Sequence, residues 1–178
     1  MKTIFLFVII WLVFVTGSTL LAQKFHYVGA AECKKCHNKP ATGQQYKIWS
    51  ESAHANAMIL LSSEKARIYA NVHNIADPTK HLGCLKCHST AGNLAESLQT
   101  GITIAEGVSC ESCHGPGSAY ITKTIMKDRE LSIKNGLVLP TRYICEQCHN
   151  NYCPFNKPFD FDEMVKEIAH AIPVSPQK

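Results

Sequence analysis

The chain opens on an unbroken apolar run, Ile4 to Val15, twelve residues without a charge, preceded by Met1-Lys2-Thr3 and followed by Thr16-Gly17-Ser18-Thr19-Leu20-Leu21-Ala22-Gln23. A short basic start, a short apolar middle and a small-residue exit predict a secretory signal peptide over 1–22, cleaved after Ala22. The rival reading is an uncleaved anchor, because Ile4 to Ala22 is 19 residues and just spans a bilayer. Membrane contact is expected only in that case. Either way the body, 23–178, is exported, to the periplasm or its equivalent, and no other stretch is long and apolar enough to cross a membrane.

Past Gln23 the apolar positions are spaced rather than continuous. Gln23 to Ala31 reads as an extended lead-in, and Lys39-Pro40-Ala41-Thr42-Gly43 as a turn. A helix is predicted from about Gln44 to Leu61, where Ser50, Ala57, Met58 and Leu61 share the face of His54, small beside the imidazole and apolar beyond it. A second helix, about Glu64 to Val72, leads to His73, and Asp77-Pro78 marks a loop running to His81. Gly115-Pro116-Gly117 forces a turn. Tyr120 to Leu139 reads as helix and loop with little periodicity. Asp160 with Glu163 resembles a capping box, and Phe161, Met164, Val165, Ile168 and Ile172 then recur on one helical face until Pro173. The expected class is mainly α with much irregular structure and little or no sheet.

The chemistry lies in a pattern that ignores this periodicity. Cys-x-x-Cys-His stands at Cys33–His37, Cys84–His88, Cys110–His114 and Cys145–His149, so eight of nine cysteines and four of nine histidines belong to one repeated unit. Two thiols at that spacing form thioethers to the vinyl groups of a c-type haem, and the adjacent imidazole then faces the iron. Zinc ribbons need thiolate pairs but no histidine after every pair, and a disulfide framework leaves the histidines unexplained. The expectation is four c-type haems, attached through Cys33, Cys36, Cys84, Cys87, Cys110, Cys113, Cys145 and Cys148, with His37, His88, His114 and His149 as proximal iron ligands. No catalytic residue is assigned.

Five histidines remain for the opposite axial positions: His54, on its small-residue face, and His73, His81, His26 and His170. Two imidazoles per iron suit electron transfer, because the metal is then closed to substrate. His170 poses a conflict. It falls nine positions after Phe161, about 180° from the apolar stripe. Either a cofactor covers a second face of that helix, or the helix unwinds near Pro173, or His170 faces solvent or a partner subunit. Met58 and Met126 are read as packing residues. Cys153 is read as a buried inert thiol, with an intermolecular disulfide or a reactive thiol as alternatives.

Charge adds an exclusion. The processed chain carries 17 basic against 14 acidic residues. Four haems with two propionates each would shift that balance by roughly four to eight units toward acidic. The basic formal charge therefore carries no argument for nucleic acid, and no basic run or basic–aromatic pattern supports one. At about 156 residues, about 39 per haem, the chain is too short to build a conventional core around each cofactor. The haems themselves are expected to be the core, and the apoprotein to be largely unfolded.

The chain resembles the cytochrome c-554 family of tetrahaem periplasmic electron carriers. The resemblance rests on Tyr27-Val28-Gly29, on Trp49 with Ser52-Ala53-His54-Ala55-Asn56-Ala57-Met58, on Gly107 to Gly117, and on Phe161-Asp162-Glu163-Met164-Val165-Lys166-Glu167. It implies that His54 is a distal ligand to a haem attached elsewhere in sequence, that haems stack in close pairs, and that one axial site is open. The family carries a distal histidine shortly after the third motif. Residues 115–144 here contain none, so one haem is open or borrows another ligand. The resulting expectation is a periplasmic tetrahaem electron carrier between redox partner proteins. Two rivals are a reductase of small nitrogen–oxygen species at an open haem, and a filament or oligomer subunit joined through His26, His170 or Cys153.

Overall fold

The computed structural model describes residues 25–153, 155 and 158–170. The expected signal segment, Ile172 and Pro173 lie outside those residues, whereas all nine histidines lie within them. Short helices joined by irregular chain make up the described residues, with one isolated parallel bridge, Tyr27 to Gln99. Helix without sheet follows from a chain punctuated every few residues by attachment motifs and turns. Among the described residues no helix is long and apolar enough to cross a membrane.

Each motif falls at a helix: Ala30–His37, Leu82–His88, Cys110–His114 and, for the fourth, Arg142–Glu146 followed by turns. Cys-x-x-Cys on a helical turn points both sulfurs to one side, with the histidine one step further round. The helix over Glu64–Val72 forms as expected, capped by Ser63, whose hydroxyl accepts from the Ala66 N–H at 3.2 Å.

The single helix expected from Gln44 to Leu61 is corrected by the structure. Helix forms over Gln45–Ser50 and Ala57–Leu60, with turns between, and His54 stands in the turns rather than on a helical face. The cause is local competition for backbone groups. The Ser52 carbonyl accepts from the Asn56 amide at 3.0 Å, and the His54 carbonyl accepts from Val108 N–H at 2.9 Å instead of from a residue four further on. The C-terminal element is also shorter than expected. Asp160 accepts from the Asp162 and Glu163 N–H groups, but α-helix spans only Phe161–Met164 and a 3-10 turn ends at Glu167. His170 is therefore off the helix, and its conflict with the apolar stripe disappears.

The side-chain core is small. Ala30, Ala57, Leu61, Ala70, Leu85, Ala91, Ile102 and Tyr120 are the buried hydrophobic residues among those described, and four of the eight are alanines. The largest fully buried side chains are Glu111, Ser109 and Ser132, all polar. A chain of this length held together by its own side chains would bury Leu, Ile and Phe instead. What positions the elements is hydrogen bonding around the third motif, described next.

Candidate functional site

The segment Gly107–Gly117 is the hub. Gly107 has φ 65°, and a Cβ there would meet the His54 and Ala55 carbonyl oxygens at 2.6 and 2.8 Å, so only glycine permits the turn before the third motif to lie on the 52–56 turns. Trp49 donates its indole N–H to the Val108 carbonyl at 2.8 Å, and Val108 donates to His54. Thr90, just past the second motif, donates its N–H to the Gly107 carbonyl and accepts from Ser109 N–H at 2.8 Å.

The lead-in to the first motif gives five consecutive amides to the hub and the chain around it. His26 N–H donates to the Ser118 hydroxyl at 2.8 Å, Tyr27 N–H to the Leu98 carbonyl at 2.7 Å, and Val28 N–H to Glu111 Oε1 at 2.9 Å. Gly29 N–H donates to Glu111 Oε2 and Ala30 N–H to Glu106 Oε2, both at 2.8 Å. Glu111 also accepts from Gly117 N–H at 2.7 Å. Burial raises the Glu111 carboxyl above the ordinary carboxylate range, against the pull of these three N–H donors.

The hub brings attachment motifs together in two pairs. The thiols of Cys33 and Cys110 are in hydrogen-bonding contact, as are those of Cys87 and Cys148. In the chain before thioether formation these contacts split each pair. The Cys87 thiol is lowered to about 7 by the hydrogen bond from Cys148, which is itself raised; Cys33 is lowered and Cys110 raised in the same way. Cys36 is exposed, while the other attachment cysteines are half-buried.

The four motif imidazoles are oriented in ways that suit a metal. His88 Nδ1 is 2.7 Å from the Ala57 carbonyl, His114 Nδ1 is 3.2 Å from the Val138 carbonyl, and His37 Nδ1 is 3.2 Å from Gln45 Oε1. A carbonyl acceptor on Nδ1 fixes the proton there and leaves the Nε2 lone pair for an iron. His149 instead stacks on Phe159 at 4.7 Å.

Two other histidines stand opposite motif imidazoles. His54 and His149 have ring centres 6.0 Å apart, and His114 and His170 have theirs 5.8 Å apart. Two imidazoles on opposite sides of one metal sit roughly 6 Å apart, from two metal–nitrogen bonds of about 2 Å and the ring radii. Burial is the main cause lowering the pKa of His54, His114, His149 and His170, and each partner's charge lowers His54 and His170 further. All four are thus held in the neutral form that ligates. The residues present fit a c-type haem. A further observation agrees: the Ser109 hydroxyl beside Cys110 is buried without a partner among the described residues, a cost of about 1–3 kcal/mol unless a bound group satisfies it.

The remaining candidates lie elsewhere. His73 is exposed against Tyr69 with ring centres 4.1 Å apart, His81 is exposed with Nδ1 3.8 Å from Cys84 Sγ, and His26 is half-buried in the lead-in. None of the three has a ring contact with His37 or His88 among the described residues. Cys153 is a half-buried free thiol. The sequence reading missed Glu106 and Glu111, although an acidic residue inside an attachment motif, directly after Cys110, was a visible signal.

Residues 32–115 match the family described as "Cytochrome c554 and c-prime". The cytochrome c-554 of Nitrosomonas europaea is 29% identical over 191 aligned positions, covering 86% of this chain and 77% of that protein. No solved structure matches. The match begins beside the first motif and ends just past the third, across most of the hub. Joined to the likeness along most of the chain, that agreement makes the chain similar to the cytochrome c-554 family and supports an electron-carrying c-type cytochrome with covalently bound haem.

Proposed function

We propose that the protein is an exported carrier with four c-type haems that passes electrons between redox partner proteins. The attachment cysteines are Cys33 and Cys36, Cys84 and Cys87, Cys110 and Cys113, and Cys145 and Cys148. The proximal ligands are His37, His88, His114 and His149. His54 completes the fourth site and His170 the third, whereas the first and second sites have one imidazole each. The observation that carries this reading is the pair of ring separations, 6.0 and 5.8 Å, each joining a motif histidine to one far from any motif.

When bound, haem supplies the one-electron chemistry of its iron. The chain's own residues do three things. The motif cysteines would hold each macrocycle by thioethers at a fixed place on a short helix. Gln45, the Ala57 carbonyl and the Val138 carbonyl orient His37, His88 and His114 and increase their basicity as ligands. Burial around His54, His114 and His170 limits water at the third and fourth sites, one of the levers that set a haem potential. Export is supported by the apolar run at 4–15 and by the compartment that haem attachment requires.

Mass spectrometry of the protein purified from a host competent in haem attachment tests this. The expected mass is that of the chain from Gln23 plus four haems. A mass with fewer than four, or with Met1 to Ala22 retained, overturns the haem count or the processing respectively.

A further inference from the structure

The first attachment helix, Ala30–His37, lacks a cap of its own. Its N-cap residue is Gly29, at φ 86°, and a Cβ at that position would meet the Gly101 carbonyl oxygen at 2.7 Å and Glu106 Oε1 at 2.9 Å. No side chain can be placed there to bind the free N–H groups that every helix start exposes. Those N–H groups are bound from a distance instead. Glu111 takes Val28 and Gly29, and Glu106 takes Ala30, across more than seventy residues of sequence. Two carboxylates at the positive end of the helix also suit its dipole.

Glu111 is in addition the second residue of the third attachment motif and accepts from Gly117 N–H, which follows that motif. One carboxylate, 2% exposed, therefore touches both the start of the first haem helix and the exit of the third. Burying a carboxylate costs several kcal/mol unless it is fully hydrogen-bonded, so a solvent-facing Ser or Asp would be the cheaper cap if capping were its whole purpose. The geometry links capping to docking: the first helix is completed only when it lies against the third motif. The same packing brings Cys33 to Cys110.

We propose that Glu111 is a positioning residue for electron transfer, which sets the separation and relative orientation of the haems attached at Cys33–Cys36 and Cys110–Cys113. The proposal rests on the four-haem reading above.

The test uses the holoprotein with Glu111→Gln and Glu111→Asp, each first weighed for haem content, so that a missing haem is charged to the four-haem reading and not to Glu111. Gln keeps the volume but turns one acceptor into a donor against Gly29. Asp keeps the charge but withdraws it by one methylene. Electron paramagnetic resonance of the oxidised protein is expected to report magnetic interaction between the first and third haems in the wild type. In both variants that interaction is expected to change, while the signal of the His54–His149 site is unmoved. Amide exchange at Val28, Gly29 and Gly117 is expected to quicken about tenfold or more. Four results overturn the proposal: no interaction in the wild type; quickened exchange with unchanged interaction in both variants, which makes Glu111 a cap only; a change in Gln alone, which makes it act through charge; or an equal change at the fourth site, which makes it a general stabiliser. If Glu111→Gln fails to mature, Glu111→Asp alone decides.

Discussion

The third and fourth motifs differ from the first and second in having a second imidazole brought against the motif histidine. His114 meets His170, 56 residues later, and His149 meets His54, 95 residues earlier. His37 and His88 are held just as firmly on their Nδ1 side, by Gln45 and the Ala57 carbonyl, yet among the described residues neither makes a ring contact with a second imidazole, and His37 reaches His114 and His170 only as a nearby charge. Holding a proximal histidine is therefore a local matter of the helix and its neighbour. Bringing a second imidazole against it is a tertiary matter, decided by which distant segment the hub draws in. Gly107, Trp49 and the 52–56 turns together bring His54 against His149.

The largest effect is expected where both kinds of site lose their common support. Replacing Cys110 and Cys113 together by Ala removes the third haem from beside the hub. With a side-chain core made largely of alanine and buried serine, the variant is expected to lose most of its helical circular-dichroism signal and its cooperative thermal transition. Retention of both would mean that the polypeptide folds without its cofactors.

The next prediction separates the two classes of site directly. His54→Ala and His170→Ala are each expected to abolish one low-spin signal and create one iron that binds added cyanide or imidazole. His26→Ala, His73→Ala and His81→Ala are expected to leave the spectrum unchanged. A spectral loss in any of those three would move an axial ligand to that residue and erase the contrast.

Smaller effects sharpen it. Trp49→Phe leaves the Val108 carbonyl without its indole donor and is expected to cost about 1 kcal/mol in thermal stability, with the His54 signal broadened and the others untouched. Ser63→Ala removes a helix cap far from any motif. It is expected to cost about 1 kcal/mol in a melt and to change no spectral feature, which makes it a control for stability loss without site change.

The attachment motifs, the helix over 64–72, the Gly-Pro-Gly turn and the scarcity of sheet were all legible in the sequence, because each depends on residues within a few positions of one another. His54 was singled out as a candidate for a reason that the structure replaces: it lies in turns, drawn out of helix by Val108 and Asn56, not on a small-residue face. His170 looked misaligned because the periodicity of Phe161 to Ile172 was extended too far, when the α-helix stops at Met164 and only a 3-10 turn follows. Glu106 and Glu111 were invisible to periodicity altogether. Their partners are backbone amides about eighty residues away, and no side-chain pattern records a backbone donor.

The most direct test of the account is electron paramagnetic resonance of the oxidised holoprotein during titration with cyanide. Two low-spin signals that resist the ligand are expected, distinct from one another because the imidazole planes meet at 86° in the His54–His149 site and 39° in the His114–His170 site. Two further irons are expected to take cyanide. Four signals that all resist it, or four irons that all bind it, would contradict the division of the molecule into two completed sites and two single-imidazole ones.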